Sequence, residues 1–377
     1  MSHFGVSMRA ILKRIIPTQL VGYVRLFIDL VDRKALPFFA SNRFLSSVYY
    51  CFFSSEFRRE HQSVLQGRVN YWNKLAEPSK ASAMLRRNIH RIEKGLIMRP
   101  RRDVFGLAFI EETVVRYICC ATGEQLDAHE KKWANDVLVQ YFEVIETGVN
   151  PLVDKLRTQF NEFNEQVSQS ENQMIVGENQ PFSGDFSPYE RSANTPSEIS
   201  YEQLMTLCKQ RRSVRWFSDR DVPIELIDKA IDIGSLAPSA CNRQPFEFYV
   251  MTKPEVAQSI GAIPMGTAGF SQNFQSLIVV VGDLSCYPYE RDRHIIYIDG
   301  SLASMQLMLA LETLGLSSCA INWPDIEQYE KRMSSRLQLP HHKRPIMVLA
   351  VGYADPEGMI PFSQKKTSNQ LMKEIVK

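Results

Sequence analysis

The stretch Ile298-Asp-Gly-Ser-Leu-Ala-Ser-Met-Gln-Leu-Met-Leu-Ala-Leu-Glu-Thr-Leu-Gly315 decides how this chain folds. Its spacing predicts a helix over residues 295–314 that is apolar on several faces, as helices in a protein core are. Small residues at positions 300, 301, 303 and 304 keep one face thin, so another helix or a sheet can approach closely. We therefore expect this helix at the centre of a packed domain.

Further helices and short strands lie on both sides of this helix, over residues 201–377. Helical spacing predicts helices at Tyr201–Gln210 and Pro223–Leu236, the second with Pro223 at its first position. Apolar, β-branched runs predict strands at Phe246–Met251, Ser276–Val281, Ser318–Ile321 and Ile346–Val351. Helices interleaved with a few short strands indicate an α+β or α/β domain.

The first 200 residues are organised differently. Residues 1–60 and 107–166 have helical spacing, and Gly148-Val-Asn-Pro151 predicts a break between two helices. We expect residues 1–166 to form a mostly helical N-terminal region. Residues 167–200 are rich in Ser, Asn, Gln, Glu, Pro and Gly, which bury little apolar surface and predict a linker or a wrapping arm.

The net charge of +2 conceals an uneven distribution along the chain. Residues 1–102 contain 19 Lys and Arg against 6 Asp and Glu, residues 103–200 contain 6 against 17, and residues 201–377 contain 19 against 19. A basic block beside an acidic one indicates that the two pair in the fold, or that a basic face meets an anionic partner. We expect no nucleic acid as that partner, because the basic segment lacks interleaved aromatic residues and any recognised nucleic-acid motif.

The cysteines and the apolar runs bear on the compartment. The seven cysteines are odd in number and include no CxxC pair, which favours neither a disulfide framework nor a zinc site. No run reaches the ~18 apolar residues that span a bilayer, and the start of the chain lacks the pattern of a signal peptide. The apolar run Phe44–Phe53 is short, and we interpret it as a buried helix. These features predict a reducing, cytoplasmic setting without a metal site.

Two short motifs carry candidate binding chemistry. In Arg211-Arg-Ser-Val-Arg215-Trp-Phe, three cations and a hydroxyl in five residues can hold a dianionic phosphate through charge-assisted hydrogen bonds. The alternative is a solvated basic helix end. In Ala237-Pro-Ser-Ala-Cys-Asn242-Arg-Gln-Pro245-Phe, small residues and prolines let the backbone pass close to a flat ligand, and Asn and Gln can pair with ring heteroatoms. Its alternative is an ordinary loop.

Taken in order, these motifs and the Ile298–Gly315 helix resemble the nitroreductase superfamily of FMN enzymes. The resemblance covers about residues 201–377 and includes a closing strand that ends in Gly-Tyr, here Pro345-Ile-Met-Val-Leu-Ala-Val-Gly-Tyr353. It implies an α+β nitroreductase-like FMN-binding domain, in which a small sheet is covered by helices. It also implies a homodimer with FMN at the interface, because in this family the two halves of the FMN pocket come from different subunits.

The resemblance implies which residues hold the FMN phosphate and ribityl chain. The positions that match are Arg211, Ser213 and Arg215. Arg212 would contribute through its backbone or toward the isoalloxazine. A basic residue near the C-terminus, Lys365 or Lys366, would meet the phosphate.

The resemblance also implies contacts to the flavin ring. The residues of the loop that reaches the flavin bound mostly by the partner subunit are Pro238, Ser239, Ala240 and Asn242. A backbone N–H of Ile321 or Asn322 would lie toward flavin N5. In the implied mechanism, NAD(P)H delivers a hydride to N5 and leaves, and a second, unidentified small-molecule substrate takes the electrons. We name no side chain as a general acid or base.

Two further interpretations remain open. The first is an FMN-dependent oxidase or dehydrogenase of a biosynthetic intermediate, such as one for a surface polysaccharide. The second is an adaptor at a membrane surface, whose basic N-terminal helices meet anionic lipid.

The segment Asn88-Ile-His-Arg-Ile-Glu-Lys-Gly-Leu-Ile-Met-Arg-Pro-Arg-Arg102 resembles the leading region of long bacterial nitroreductase-like proteins. Its His90, Glu93 and Lys94 share a helix face. These three are candidates for a functional role, and the alternative is a structural role in pairing the basic block with the acidic one.

Overall fold

The computed structural model describes residues 34–77, 82–122, 126–171 and 185–376. The helices expected within residues 1–33 and part of the linker expected over residues 167–200 lie outside the described residues.

The N-terminal region is helical, as predicted. Its helices are α1 Arg43–Val48, α2 Arg58–Ala76, α3 Ser82–Leu96, α4 Ile110–Ala121, α5 Ala128–Val144 and α6 Pro151–Glu171. The predicted break between α5 and α6 is confirmed, because the side chain of Asn150 accepts hydrogen bonds from the N–H groups of Leu152 and Val153 and starts a new helix there.

Helices α3 to α6 share a hydrophobic core of their own, which includes the buried Ile89, Val114 and Leu138. Ion pairs join α3 to its neighbours: Arg86 lies 3.4 Å from Glu130, and Arg87 lies 3.7 Å from Glu112. The basic block therefore pairs in part with the acidic block that follows it.

The C-terminal part is an α+β domain, as the resemblance implied. Its strands are β1 Phe246–Met251, β2 Ser276–Asp283, β3 Ser317–Asn322 and β4 Lys343–Gly352. Its helices are α7 Tyr201–Gln210, α8 Ile224–Ser235, α9 Pro254–Gly261, α10 Ile295–Thr313, α11 Glu327–Leu337 and α12 Ser368–Leu371. The strands form one antiparallel sheet in the order β1–β2–β4–β3. Pro223 precedes α8 as its N-cap, with an extended backbone, and is not its first residue.

Helices cover both faces of the sheet, and every residue of β2 is buried. Helices α8 and α10 pack on one face, and α9 and α11 pack on the other. Of the small residues of α10, Gly300 lies against the sheet, because a Cβ there would come within 2.7 Å of the Ile346 side chain. Ala303 lies against α8, where a Cβ on Gly234 would come within 3.3 Å of its carbonyl oxygen, and Ser301 is exposed. Among the described helices, the segment Glu290–Thr313 alone is long and apolar enough to cross a membrane, and half of its apolar window is buried in the protein, which fits a core helix.

Helix α2 packs mainly against the C-terminal domain, and its Tyr71 hydroxyl also accepts a hydrogen bond from Arg87 Nη1 of α3 at 3.2 Å. Its Val64 belongs to the same core as α8 and α10. A Cβ on Gly67 would come within 2.7 Å of Leu284 Cβ and 2.9 Å of the Leu284 backbone, so the two backbones are in close contact. These contacts cross the domain boundary that we predicted at residue 201.

The apolar run Phe44–Phe53 differs from the prediction of a buried helix. It forms α1 and one π-helical turn, Tyr49–Phe53, in which no residue is buried. Phe44 is 75% exposed, and Phe52 and Phe53 are also exposed. The Phe53 ring contacts the rings of Tyr49 and of Phe39, which precedes the run.

Candidate functional site

The segment 211–217 runs along the edge of the sheet beside β3. Helix α7 ends at Gln210, and Ser213 then forms a parallel bridge with Ser318. The N–H of Val214 donates to the Ser318 carbonyl oxygen at 3.1 Å. Further along, the Asn273 side chain accepts from the Phe217 N–H at 2.5 Å and donates to the Phe217 carbonyl at 3.0 Å. The segment is therefore fixed at both ends.

Three predicted phosphate-binding residues, Arg211, Ser213 and Arg215, gather around Cys319 of β3. Burial raises the pKa of the Cys319 thiol, and the charges of Arg215 and Arg211 and a hydrogen bond with Ser213 oppose that rise. Arg215 Nη1 donates to the Ser213 carbonyl at 3.3 Å, and its guanidinium lies 5.7 Å from the centre of the Phe270 ring.

The Nε of Arg211 is buried and has no hydrogen-bond partner within the described chain. An anion beside Arg211 would satisfy this N–H, because a buried hydrogen bond to a charged group that is left unmade is costly. A solvated helix end, the alternative for this motif, would leave that N–H in water.

Arg212 points to the C-terminal tail, since its Nη2 donates to the carbonyl oxygen of Phe362. The tail also pairs with this segment where the Asp355 N–H donates to the Trp216 carbonyl at 3.0 Å. Lys365 and Lys366 follow Phe362 closely, and both are exposed. Both predicted lysine candidates therefore lie on the exposed tail, a few residues beyond its contact with Arg212.

The second motif forms a tight loop that contains Pro238, Ser239, Ala240 and Asn242. The Ala240 N–H donates to Asp299 Oδ2 of α10 at 2.9 Å. Asn242 and its neighbours Cys241 and Gln244 have φ of 52°, 53° and 48°, a left-handed conformation that costs free energy in residues other than glycine. Surrounding contacts must hold this loop in place.

Arg86 of α3 supplies such contacts. Its Nε donates to the Asn242 carbonyl at 2.9 Å, and its Nη2 donates to Gln244 Oε1 at 3.0 Å. Arg86 is not among the residues predicted from the sequence, because nothing in a basic helical segment indicates which of its arginines reaches a loop 156 residues away.

Asp299 of α10 also holds the loop, through its hydrogen bond from the Ala240 N–H. Its side chain is almost fully buried. Burial raises the pKa of Asp299, and the Ala240 N–H works against that rise by stabilising the charged form. The sequence pattern predicted a core helix here but gave Asp299 no role.

Strand β3 lies at the edge of the sheet and presents backbone N–H groups. Antiparallel strands direct the N–H and C=O groups of alternate residues to opposite sides. Because the Ser318 carbonyl faces Val214, the N–H groups of Ala320 and Asn322 face the open edge, and that of Ile321 faces β4. Of the two predicted donors, Asn322 is therefore the one whose N–H is available.

A cleft of 440 Å³ lies beside Asn242, between the loop and the start of α5. Trp133 and Phe186 line it, together with polar groups that include Glu130 and Gln244. Residues of the helical N-terminal region and residues of the C-terminal domain both line this cleft.

His90 and Glu93 have a structural arrangement. His90 Nδ1 lies 2.9 Å from Glu93 Oε2, and Glu93 Oε1 accepts from the indole N–H of Trp133 at 2.9 Å. The pair thereby fixes Trp133. The described residues contain no group of three His, Cys, Asp or Glu side chains that could hold a metal ion.

Comparison with known proteins identifies the C-terminal domain. The sequence profile of the Nitroreductase family matches residues 208–272 and 266–353. A protein of Methanothermobacter thermautotrophicus, described as a candidate NADH dehydrogenase/NAD(P)H nitroreductase, is 31% identical over 160 residues, which are 41% of this chain and 80% of that protein. The iodotyrosine deiodinase of Haliscomenobacter hydrossis is 27% identical over 220 residues, 50% of this chain and 96% of the deiodinase.

A solved structure from Parabacteroides distasonis, described in the same terms as the archaeal relative, has 29% sequence identity and a TM-score of 0.40 and covers 46% of this chain and 97% of its own. Because the archaeal relative is 31% identical and is matched over four fifths of its length, the chain belongs to the nitroreductase family of flavin-dependent oxidoreductases.

Proposed function

We propose that the chain binds FMN with its phosphate against Arg211, Ser213 and Arg215. The observation that carries the proposal is the buried Arg211 Nε without an acceptor in the described chain. A phosphate provides that acceptor and also the countercharge for two guanidinium groups. Lys365 or Lys366 completes the cage from the C-terminal tail.

The flavin ring is contacted by the loop residues Pro238, Ser239, Ala240 and Asn242 of a second subunit. Support for this comes from the backbone of the loop, which is held in a left-handed conformation by Arg86 and Asp299 and so presents a fixed surface. The N–H of Asn322, on the open edge of β3, is our candidate for the hydrogen bond to flavin N5.

A homodimer is part of this proposal. Helix α10 exposes Ile298, Leu302 and Met305, which are 53%, 43% and 39% exposed and are spaced to share one face. An apolar stripe on a core helix is typical of an interface between subunits. We infer that two copies of α10 meet across this face.

Bound FMN would supply electron transfer between NAD(P)H and a second small molecule. The archaeal relative carries NAD(P)H in its name, which supports a nicotinamide as the reductant. The residues of this chain bind and orient the cofactor, and none has to transfer a proton. The second substrate is an electron acceptor of unidentified structure.

The purified full-length protein tests this proposal. We expect a flavin absorption spectrum, about one FMN per subunit after extraction, and bleaching of the spectrum when NADH or NADPH is added without oxygen. A colourless protein that also fails to take up added FMN would refute the cofactor assignment. If neither nucleotide bleaches the flavin, the proposal that NAD(P)H is the reductant is refuted.

The alternative function is oxidation of a dedicated organic substrate. The cleft beside Asn242 favours it, because Trp133 and Phe186 offer a ring-sized apolar surface with polar groups around it. In that case a co-purified metabolite, and not NAD(P)H, bleaches the flavin, and oxygen restores its colour.

Contact with an anionic membrane would add to either function. The exposed aromatic side chains of residues 34–57, next to Arg43 and Arg58, support it. Flotation of the protein with anionic vesicles, compared with neutral ones, measures this contact.

A further inference from the structure

A groove of 670 Å³ lies in the N-terminal region, at the end of α3. One wall is the turn that follows Leu96, and the floor includes Gln140 and Val144 of α5. The opposite wall is the segment 188–192, which Gln140 tethers through a hydrogen bond from its Nε2 to the Pro188 carbonyl at 3.5 Å. None of the residues assigned above to FMN lines this groove.

The groove is strongly basic. Arg99, Arg101 and Arg191 line it, and none of them forms an ion pair with an acidic side chain in the described ranges. Glu190 is the acidic residue of the lining, and its carboxylate accepts a hydrogen bond from Ser192 at 3.3 Å. The lining therefore carries three positive charges and one negative charge, a balance of +2.

Other arginines of the N-terminal region behave differently. Arg86, Arg87 and Arg157 each lie within 4 Å of a carboxylate. Arg99, Arg101 and Arg191 are exposed and free of carboxylate partners in the described chain, so a ligand with at least two negative charges can pair with guanidinium groups from both walls.

Apart from Gln140 and Ser192, the remaining lining is apolar. Ile97, Met98 and Tyr189 are exposed to solvent at the rim, and Leu96 and Val144 lie deeper. Inorganic phosphate alone would leave this surface uncovered. A ligand with an apolar portion would remove it from water and gain about 25 cal/mol for each Å² buried.

We propose that this groove binds a small amphipathic phosphate, a molecule that joins a phosphate or diphosphate group to an apolar chain or ring. The arginines bind the phosphate oxygens through forked hydrogen bonds, which suit guanidinium groups. The apolar portion packs between Met98 and Tyr189. The volume of the groove is within the usual range for small-molecule sites.

Calorimetry of the full-length protein with geranyl diphosphate, below its aggregation concentration, tests the proposal. We expect saturable binding at least about tenfold tighter than that of inorganic pyrophosphate. The variant Arg99→Ala/Arg101→Ala should weaken it by about tenfold or more, which is the size of a lost charge-assisted hydrogen bond. Arg102→Ala is the matched control, because Arg102 is a neighbouring exposed arginine outside the groove, and it should leave the affinity unchanged.

Arg191→Ala tests the opposite wall in case the double variant does not fold, and should weaken binding in the same way. FMN content and the melting temperature of each variant distinguish a lost site from a lost fold. Equal affinity for geranyl diphosphate and pyrophosphate, or equal loss in Arg102→Ala, would overturn the proposal. So would binding that occurs only to vesicles of phosphatidic acid, since that identifies a membrane-facing patch and not a small-molecule site.

Discussion

Arg86 Nε lies 2.9 Å from the carbonyl oxygen of Asn242, so the helical N-terminal region holds the backbone of the loop that we assign to the flavin. The same guanidinium also reaches Gln244 and Glu130. Since Asn242 and Gln244 have left-handed backbones, the contacts offset a local conformational cost. Helix α3 therefore contacts the candidate site directly.

Loss of this contact should weaken cofactor binding. We expect Arg86→Ala to raise the dissociation constant for FMN by about tenfold, because hydrogen bonds from a charged donor contribute ~1.5–3 kcal/mol. Titration of the apoprotein followed by flavin fluorescence measures the effect. Arg87→Ala is the control, since Arg87 has the same charge on the same helix and contacts Glu112 and Tyr71. Equal affinities of Arg86→Ala and the wild type would contradict a positioning role.

Arg211 and Arg212 should differ although they are adjacent. Arg211→Ala removes the unpartnered buried guanidinium and should weaken FMN binding by ~1.5–3 kcal/mol. The difference in FMN affinity between the wild type and Arg211→Ala should become smaller as salt is added, because ions screen the attraction between the phosphate and the cations. Arg212 donates to the Phe362 carbonyl, so Arg212→Ala should have a smaller effect that does not depend on salt. Identical results for the two variants would argue against a specific phosphate cage.

Because α2 lies in close contact with the C-terminal domain, substitution of Gly67 should destabilise the fold. Gly67→Ala places a methyl group within 3 Å of the Leu284 backbone, which should destabilise the fold by ~1–3 kcal/mol through overpacking. Alanine is ~1 kcal/mol more favourable than glycine within a helix, so a net decrease in the free energy of unfolding would be due to the contact with Leu284. Urea unfolding measures the change, with Leu65→Ala on the exposed face as the control. A stabilised Gly67→Ala variant would show that α2 is not packed closely against Leu284.

Acid should weaken the ion pair between α2 and α11. Arg59 Nε and Nη2 donate to Glu327 at 2.6 and 2.7 Å, and these hydrogen bonds lower the pKa of Glu327 from 4.5 to about 2. A carboxyl group whose pKa is lower in the folded state stabilises the fold fully above its unfolded pKa, here about 4.5, and this contribution is lost as the pH falls toward 2.

The variant Glu327→Gln removes that contribution together with the smaller one from Lys331, which lies 3.1 Å from Glu327. The melting temperature of the wild type should exceed that of the variant at pH 6, and the difference should shrink between pH 4.5 and pH 3. Glu357→Gln, at an exposed carboxylate that forms no ion pair in the described chain, should show no such trend. A difference that is constant with pH would mean that Arg59 and Glu327 do not interact in solution.

If the exposed stripe of α10 forms the subunit interface, FMN binding should depend on dimerisation. Leu302→Asp introduces a charge at the centre of the stripe and should give a monomer by light scattering, with loss of bound FMN. Val256→Asp, on α9, is a matched change at another exposed apolar residue and should leave the dimer intact. A dimeric Leu302→Asp protein that retains FMN would move the interface elsewhere.

The sequence alone determined most of the local structure and the family. Helix α7, strand β1 and the long helix α10 follow from apolar periodicity, since each element buries one face or all of its surface and must repeat with its own period. The motifs at 211–217 and 237–246 can be recognised in the sequence because the residues of each motif are contiguous. A run of adjacent residues can be read without knowledge of the fold.

Only the tertiary structure decided which distant residues meet. Arg86 reaches Asn242, α2 packs on Leu284, and Asn322 rather than Ile321 has its N–H on the open edge of β3. The exposure of Phe44–Phe53 was also hidden, because an apolar run has the same composition whether or not another element covers it. These relationships depend on the packing of elements far apart in the chain, and the spacing of residues along one segment carries no record of the segment against which it packs.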